Sequence, residues 1–234
     1  MRIKTGVTLF LNTILMVSCV SIAAPVATAT FISAPTATIT SVAFTPALIP
    51  TMPSIIKFSG EGNAILTVDK WRGPALIHIN YTGSDKLVAW NDNDKDRLLD
   101  FILSVDGNYS GTQVLDLSDQ ESFQTHYLEI YTNGSWEVEI LPFEYGRKVN
   151  VPSVFTGSNN DVVFLKGDKP SSLEIEINGS GYYFSLSGQG DNGFVPIVNG
   201  KPPYNGTFKI EQDLKMLMIE APGSWQIKVL DAVK

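Results

Sequence analysis

The feature that most constrains the fold is a segment near the end of each half of the chain that occurs twice without a gap. The two copies are residues 127–141, YLEIYTNGSWEVEIL, and residues 216–230, MLMIEAPGSWQIKVL. Each reads as a strand, a Gly-Ser-Trp hairpin and a second strand. Shorter matches precede them in the same order, among them Phe-x-Gly at 58–60 and 155–157 and Tyr-x-Gly-Thr at 109–112 and 204–207. Ordered internal similarity predicts two modules, at 55–144 and 151–232, joined by residues 145–150.

Both copies carry the alternation of a half-buried strand. Apolar residues at 136, 138 and 140 alternate with Glu137 and Glu139, which gives the strand one buried face and one solvent-exposed face. Asn-Gly or Asp-Gly turn signals recur every ten residues or so, and no segment carries a helical stripe. The pattern predicts an all-β chain of two tandem antiparallel β-sandwich modules, jelly-roll-like, with about seven or eight strands each. The equivalent Trp136 and Trp225 lie on the apolar phase, so we expect both in the cores.

The charge is concentrated in the first copy. The 234 residues carry a net charge of −7, but residues 55–145 hold 6 Lys+Arg against 15 Asp+Glu, which is −9, and residues 146–234 hold 9 of each. Four of the 15 acidic residues, with two of the basic ones, fall in an insertion at 91–100 that the second copy lacks. A body this acidic excludes nucleic acid as a partner held by phosphate neutralisation.

The N-terminus reads as an export signal. A basic start, with Arg2 and Lys4, precedes an apolar run at 6–17, which is too short to span a membrane and typical of a secretory signal. Residues 15–19, Leu-Met-Val-Ser-Cys, resemble a bacterial lipoprotein signal. That resemblance implies a signal peptide over 1–18, a lipid on Cys19 and attachment of the exported chain to a membrane at the bacterial cell surface. Cleavage after the alanines near 24 or 29, giving a freely secreted protein, and an uncleaved anchor remain alternatives.

A stalk follows the cysteine. Residues 19–54 contain no charged residue and are rich in Ala, Thr, Ser and Pro, a composition that cannot build a core and predicts a disordered spacer. At ~3.1 Å per residue, such a segment holds a module up to about 100 Å from a membrane. Thr/Pro stalks of this kind resemble those of bacterial surface lipoproteins.

The insertion contains a candidate cation site. Asp92, Asp94, Asp96 and Asp100 supply the closely spaced carboxylates that Ca²⁺ prefers. The run lacks the glycine and the terminal glutamate of an EF-hand, and the alternative is a solvated acidic loop. We expect no other cofactor.

Four aromatic residues form a candidate ligand surface. Trp71 and Trp90 have no counterpart in the second copy, and Tyr127 and Tyr131 lie on the strand face opposite to the apolar residues between them. Rings on one side of a sandwich can stack on sugar faces, as in carbohydrate-binding modules. The alternative is that the tryptophans fill cores and the tyrosines cover wet strands.

The sequence contains no recognisable catalytic motif. His78 and His126 lie in separate segments without a cysteine or a paired histidine, and neither a Gly-x-Ser-x-Gly motif nor a phosphate-binding glycine loop is present. We expect a non-enzymatic, surface-anchored binding or adhesion protein with the acidic module as its working surface and a glycan or a protein as its ligand. Two alternatives stay open: a glycan-directed hydrolase or its accessory subunit, because any two carboxylates can meet in space, and a structural spacer of the cell envelope.

Overall fold

The computed structural model describes residues 52–93 and 98–231, except for the side chains at 98 and 99. The signal over 1–18, Cys19 and nearly all of the stalk lie outside these residues, so their predictions stay predictions. The described chain is all-β apart from two 3-10 turns, Glu121–Phe123 and Phe143–Tyr145. Neither turn has the length or the apolar character that crossing a membrane would require.

The first half contributes eight strands in the part described. They are β1 (Ile56–Glu61), β2 (Ala64–Thr67), β3 (Ala75–Thr82), β4 (Lys86–Asp92), β5 (Leu98–Asp106), β6 (Tyr109–Leu115), β7 (Tyr127–Tyr131) and β8 (Ser135–Leu141). The second half contributes β9 (Arg147–Val151), β10 (Ser153–Ser158), β11 (Asp161–Gly167), β12 (Pro170–Gly179), β13 (Phe184–Gly190), β14 (Gly193–Gly200), β15 (Tyr204–Lys209), β16 (Leu214–Glu220) and β17 (Gly223–Asp231).

The two halves have the same strand order. The first half forms the sheets β1-β8-β3-β6 and β2-β7-β4-β5, and the second forms β10-β17-β12-β15 and β14-β13-β16-β11-β9. This order, in which two four-stranded sheets exchange strands through Greek-key connections, is that of a jelly roll. The predicted all-β, jelly-roll-like fold is confirmed. The division into two separate domains stays a prediction, because Ile49–Lys234 belong to one compact unit.

The segment expected to join the halves is itself a strand. β9 pairs parallel with β11, in contrast to the antiparallel pairing predicted throughout. Arg147 holds it there: its Nη1 donates to Asp161 Oδ2 at 2.9 Å, and its guanidinium lies 5.6 Å from the ring of Phe155 and 5.8 Å from that of Trp225. The alternation that predicts the other strands is weak here, since β9 is mostly polar and exposed.

Each half has its own apolar core, and the repeated tryptophans lie in them. Trp136 is buried in the first core and Trp225 in the second. Their indole N–H groups donate to the backbone carbonyls of Gly62, at 2.9 Å, and Asn159, at 2.8 Å. The expectation that both tryptophans are core residues is confirmed.

The repeated Phe-x-Gly motif has a packing cause. Gly60 lies opposite Trp136 across the β1–β8 pair, and Gly157 lies opposite Trp225 across the β10–β17 pair. A Cβ atom at Gly60 would lie 2.5 Å from the Trp136 ring, and one at Gly157 would overlap the Trp225 ring as severely. Only glycine lets each ring cover the neighbouring strand.

The halves touch through a small apolar cluster. Leu76 of the first half packs with Val162 and Met216 of the second. Beside this cluster, the backbone N–H of Thr112 donates to the carbonyl of Asn160 at 2.9 Å. The contact therefore combines apolar packing with a backbone hydrogen bond.

Candidate functional site

The β2-β7-β4-β5 sheet presents an aromatic outer surface. Strand alternation turns Leu87, Ala89, Leu128 and Ile130 into the core, where each is buried, and turns the residues between them outward. We call this outer surface the aromatic face, defined by Ile65, Val88, Trp90, Asp92, Phe101, Tyr127, Glu129 and Tyr131.

The register of β4 and β7 brings three of the four predicted aromatic residues together. Trp90 lies directly opposite Glu129, and Tyr127 and Tyr131 are the next outward residues on either side of Glu129. Trp90 also meets the ring of Phe101 edge-on, with centroids 4.6 Å apart and planes at 63°. Cross-strand and diagonal neighbours on one sheet face are within reach of aromatic side chains. The result is one carboxylate, Glu129, bordered by the rings of Tyr127, Tyr131 and Trp90, with the ring of Phe101 on the far side of Trp90.

The aromatic face is partly open to solvent. Of its apolar side chains, Ile65 is 69% exposed, Tyr131 45% and Phe101 44%, while Trp90 and Tyr127 are half-buried. Large apolar side chains exposed side by side, rather than singly, are typical of an interaction site.

Two carboxylates make the aromatic face acidic. Tyr131 donates its hydroxyl proton to Glu129 Oε2 at 2.6 Å, and Asp92 lies opposite Tyr127. The hydrogen bond to Glu129 raises the pKa of the Tyr131 hydroxyl above its usual value, and the charge of Glu129, desolvation and the charge of Asp92 add to this. Tyr131 therefore remains a neutral donor that fixes the Glu129 carboxylate.

Trp71, also predicted as a stacking residue, is not on this face. It packs against the first core, its Nε1 donates to the carbonyl of Pro74 at 3.1 Å, and the Lys70 ammonium lies 5.9 Å from its ring. The structure thus separates Trp71 from Trp90, Tyr127 and Tyr131.

The predicted Ca²⁺ ligands are only partly described. Asp94 and Asp96 lie outside the described residues. Asp100 is exposed, and its Oδ1 accepts the backbone N–H of Phe101 at 2.8 Å, whereas Asp92 belongs to the aromatic face. Among the residues that the structure describes, no group of three potential ligands is close enough to hold a metal ion. The calcium site stays a prediction.

A buried ion pair that the sequence analysis missed lies at one end of the same sheet. Lys70 Nζ lies 2.9 Å from Asp116 Oδ2, and each side chain is only 2% exposed. The ammonium also donates to the carbonyls of Trp71, at 3.0 Å, and Gly73, at 2.7 Å. Oxygen atoms therefore surround the cation, as a buried charge requires.

This ion pair is connected to the strands of the aromatic face. Thr125 donates its N–H and its hydroxyl to the Asp116 carboxylate, at 2.9 and 2.7 Å. Asn91 in turn donates its Nδ2 to Thr125 Oγ1 at 2.9 Å. Asn91 adjoins Trp90 on β4, and Thr125 precedes Tyr127 by two residues, so the network fixes the two strand ends that carry the rings.

Comparisons with known proteins supply no family. No protein-family model matches the chain, and no curated protein matches it. Among solved structures, HutD from Pseudomonas fluorescens SBW25 aligns with a TM-score of 0.25 and 6% identity over 77% of this chain and 80% of HutD. The PBSX exported protein XepA aligns at 0.25 and 11%, over 76% and 84% of the two chains. A triple-jelly-roll protein of an archaeal virus aligns at 0.28 and 15%, over 78% and 59%. Scores this low carry no argument about function, and the fold rests on the strand order.

Proposed function

We propose that this protein is a non-enzymatic binding protein of the bacterial cell surface and that its aromatic face binds a glycan. The observation that carries the proposal is a row of solvent-accessible rings on one sheet surface: Tyr127, Tyr131 and Trp90 border Glu129, and Phe101 adjoins Trp90.

The chemistry of this surface suits a sugar. The face of an aromatic ring is electron-rich, so it attracts the polarised C–H groups on the apolar side of a pyranose, while Glu129 can accept hydrogen bonds from hydroxyl groups. Tyr127 and Tyr131 are four residues apart on one strand, about 14 Å at ~3.4 Å per residue. A surface of that length fits several sugar units of a chain rather than one ring.

The placement of the carboxylates favours binding over hydrolysis. A glycosidase holds an acid and a second carboxylate on opposite sides of the scissile bond, about 5–10 Å apart. Glu129 and Asp92 instead lie diagonally on one sheet surface and do not face each other across a cleft, and Glu129 already accepts a hydrogen bond from Tyr131. Such a pair can orient hydroxyl groups but does not enclose a bond.

We further propose that the chain is anchored through a lipid on Cys19 and displayed by the stalk over 19–54. The lipoprotein-like residues at 15–19 and the uncharged Thr/Pro composition support this. Replacing Cys19 by serine is expected to release the protein into the medium. Finding the unsubstituted protein already in the medium, in the same amount, contradicts the anchor.

Binding is tested by depletion of the full chain from solution by a panel of insoluble polysaccharides. Trp90→Ala is expected to reduce retention by about fivefold or more, on the scale of roughly 1–3 kcal/mol per ring that nucleobases stacked on aromatic side chains give. Tyr182→Ala is the matched control, because Tyr182 is 96% exposed in the second half and should not affect binding. Retention by no polysaccharide, or equal losses in the two variants, contradicts the proposal.

A further inference from the structure

We infer that the aromatic face selects a polysaccharide whose sugars carry free amino groups, in preference to a neutral or an anionic polymer of the same backbone. This inference rests on the proposed glycan binding and names the ligand class of that site.

The charge of the surface favours a cation. Glu129 carries a negative charge among the rings, and the half that bears it has a net charge of −9 over 55–145. On β4, the outward base is Lys86, which lies beyond Val88 at the far end of the strand and pairs in register with Asp106. A positive ligand is therefore attracted to this surface and a negative one is repelled.

The position of Glu129 also favours a cation. Because Glu129 lies directly opposite Trp90, an amino group on a sugar stacked over Trp90 would lie within reach of the carboxylate. Tyr131 hydrogen bonds Oε2, which leaves Oε1 for the ligand. An ammonium there makes a charge-assisted hydrogen bond and also meets ring faces that attract cations.

The loss of water from Glu129 on binding also favours a cationic ligand. A neutral sugar laid across the rings removes water from the Glu129 carboxylate and returns only a hydroxyl hydrogen bond, whereas burying a charge is costly unless it is paired. An ammonium group on the sugar provides the opposite charge that Glu129 then needs. We therefore expect a preference of about tenfold or more for the cationic polymer, which corresponds to about 1.4 kcal/mol.

The test compares three soluble β-linked polymers with the full chain at low salt and slightly acidic pH: chitosan, which is cationic, hydroxyethyl cellulose, which is neutral, and carboxymethyl cellulose, which is anionic. Affinity is read from retardation in gels that contain each polymer. We expect chitosan to bind tightest and carboxymethyl cellulose weakest.

Any acidic protein attracts a polycation, so a charge-matched pair of variants separates the site from the overall charge. Glu129→Gln is expected to lower chitosan affinity about tenfold and to leave hydroxyethyl cellulose binding nearly unchanged, because glutamine still accepts the Tyr131 hydrogen bond. Glu137→Gln removes the same charge from β8, an exposed position on the other sheet, and is expected to change chitosan affinity little.

Equal effects of the two variants, or equal binding of chitosan and hydroxyethyl cellulose, overturn the inference and leave the proposed glycan binding in place. Binding to none of the three polymers also overturns the inference, and the panel of insoluble polysaccharides then decides separately whether the chain binds a glycan. Polylysine bound more tightly than chitosan with the same dependence on Glu129 also overturns the inference, in favour of a basic protein partner.

Discussion

The buried Lys70–Asp116 ion pair gives the sharpest stability prediction. Lys70→Met keeps the length and the apolar stem of the side chain but removes the ammonium, so the Asp116 carboxylate stays buried without its counter-ion. Removing one partner of a buried pair costs about 3–5 kcal/mol. Thr125 still donates two hydrogen bonds to Asp116, which places the expected loss at the low end, about 3 kcal/mol. The carbonyls of Trp71 and Gly73 also lose their donor.

The assay is urea unfolding followed by tryptophan fluorescence and repeated as thermal melting, where a loss of about 3 kcal/mol lowers Tm by about 6–12 °C in a unit of this size. The double variant Lys70→Met/Asp116→Asn should be more stable than the sum of the single losses implies, because no unpaired charge remains. Lys57→Met, which breaks the solvent-exposed pair with Glu139, is the control and should change stability little. A Lys70→Met variant as stable as Lys57→Met, or strictly additive losses in the double variant, would refute this reasoning.

Four further variants test the packing and the electrostatics. Gly60→Ala and Gly157→Ala should each destabilise the protein by about 1–3 kcal/mol in urea unfolding, because the new methyl group overlaps a buried indole; wild-type midpoints would contradict the packing account. Arg147→Lys should lower the free energy of unfolding by about 1–2 kcal/mol. Lysine keeps the charge but lacks the planar guanidinium that contacts the Asp161 carboxylate, the Thr156 carbonyl and the Phe155 ring. Unchanged stability would exclude a role for the guanidinium. Desolvation, and secondarily the charge of Asp100, raises the pKa of the Glu220 carboxyl, although the residue as a whole is exposed. The stability that the protonated Glu220 carboxyl contributes is therefore present below its ordinary pKa and lost as pH rises through the folded-state pKa. Glu220→Gln should be more stable than the wild type at pH 7 and equally stable at pH 3. A Glu220→Gln variant that is less stable than the wild type at pH 7 would contradict the upward direction of the pKa shift.

The all-β fold was predictable because burial of one sheet face imposes the alternation directly on the sequence. The same argument places Tyr127 and Tyr131 outward, since they directly adjoin the buried residues Leu128 and Ile130. Their meeting with Trp90 depends on the β4–β7 register, and the contact between Trp90 and Phe101 follows a register shift between β4 and β5. Neither pairing can be predicted from the local sequence.

The buried ion pair and the added strand were not predictable for related reasons. Lys70 and Asp116 lie in two different loops, and a loop lysine or aspartate ordinarily indicates solvent exposure. Their burial depends on how those loops meet at the end of the sheet. The polar strand that begins at Arg147 resembles a linker, because its stabilising contacts are made by one arginine with distant residues rather than by an apolar face.

The most direct test of ligand binding by the aromatic face is ¹⁹F NMR of the full chain labelled with 5-fluorotryptophan and titrated with chitosan oligosaccharide. The four tryptophans give signals that single Trp→Phe substitutions assign. We expect the Trp90 signal to shift with ligand concentration and those of Trp71, Trp136 and Trp225 to stay in place, because these three rings pack against the cores. A saturating titration that shifts one of the core signals and leaves Trp90 unmoved would contradict the account.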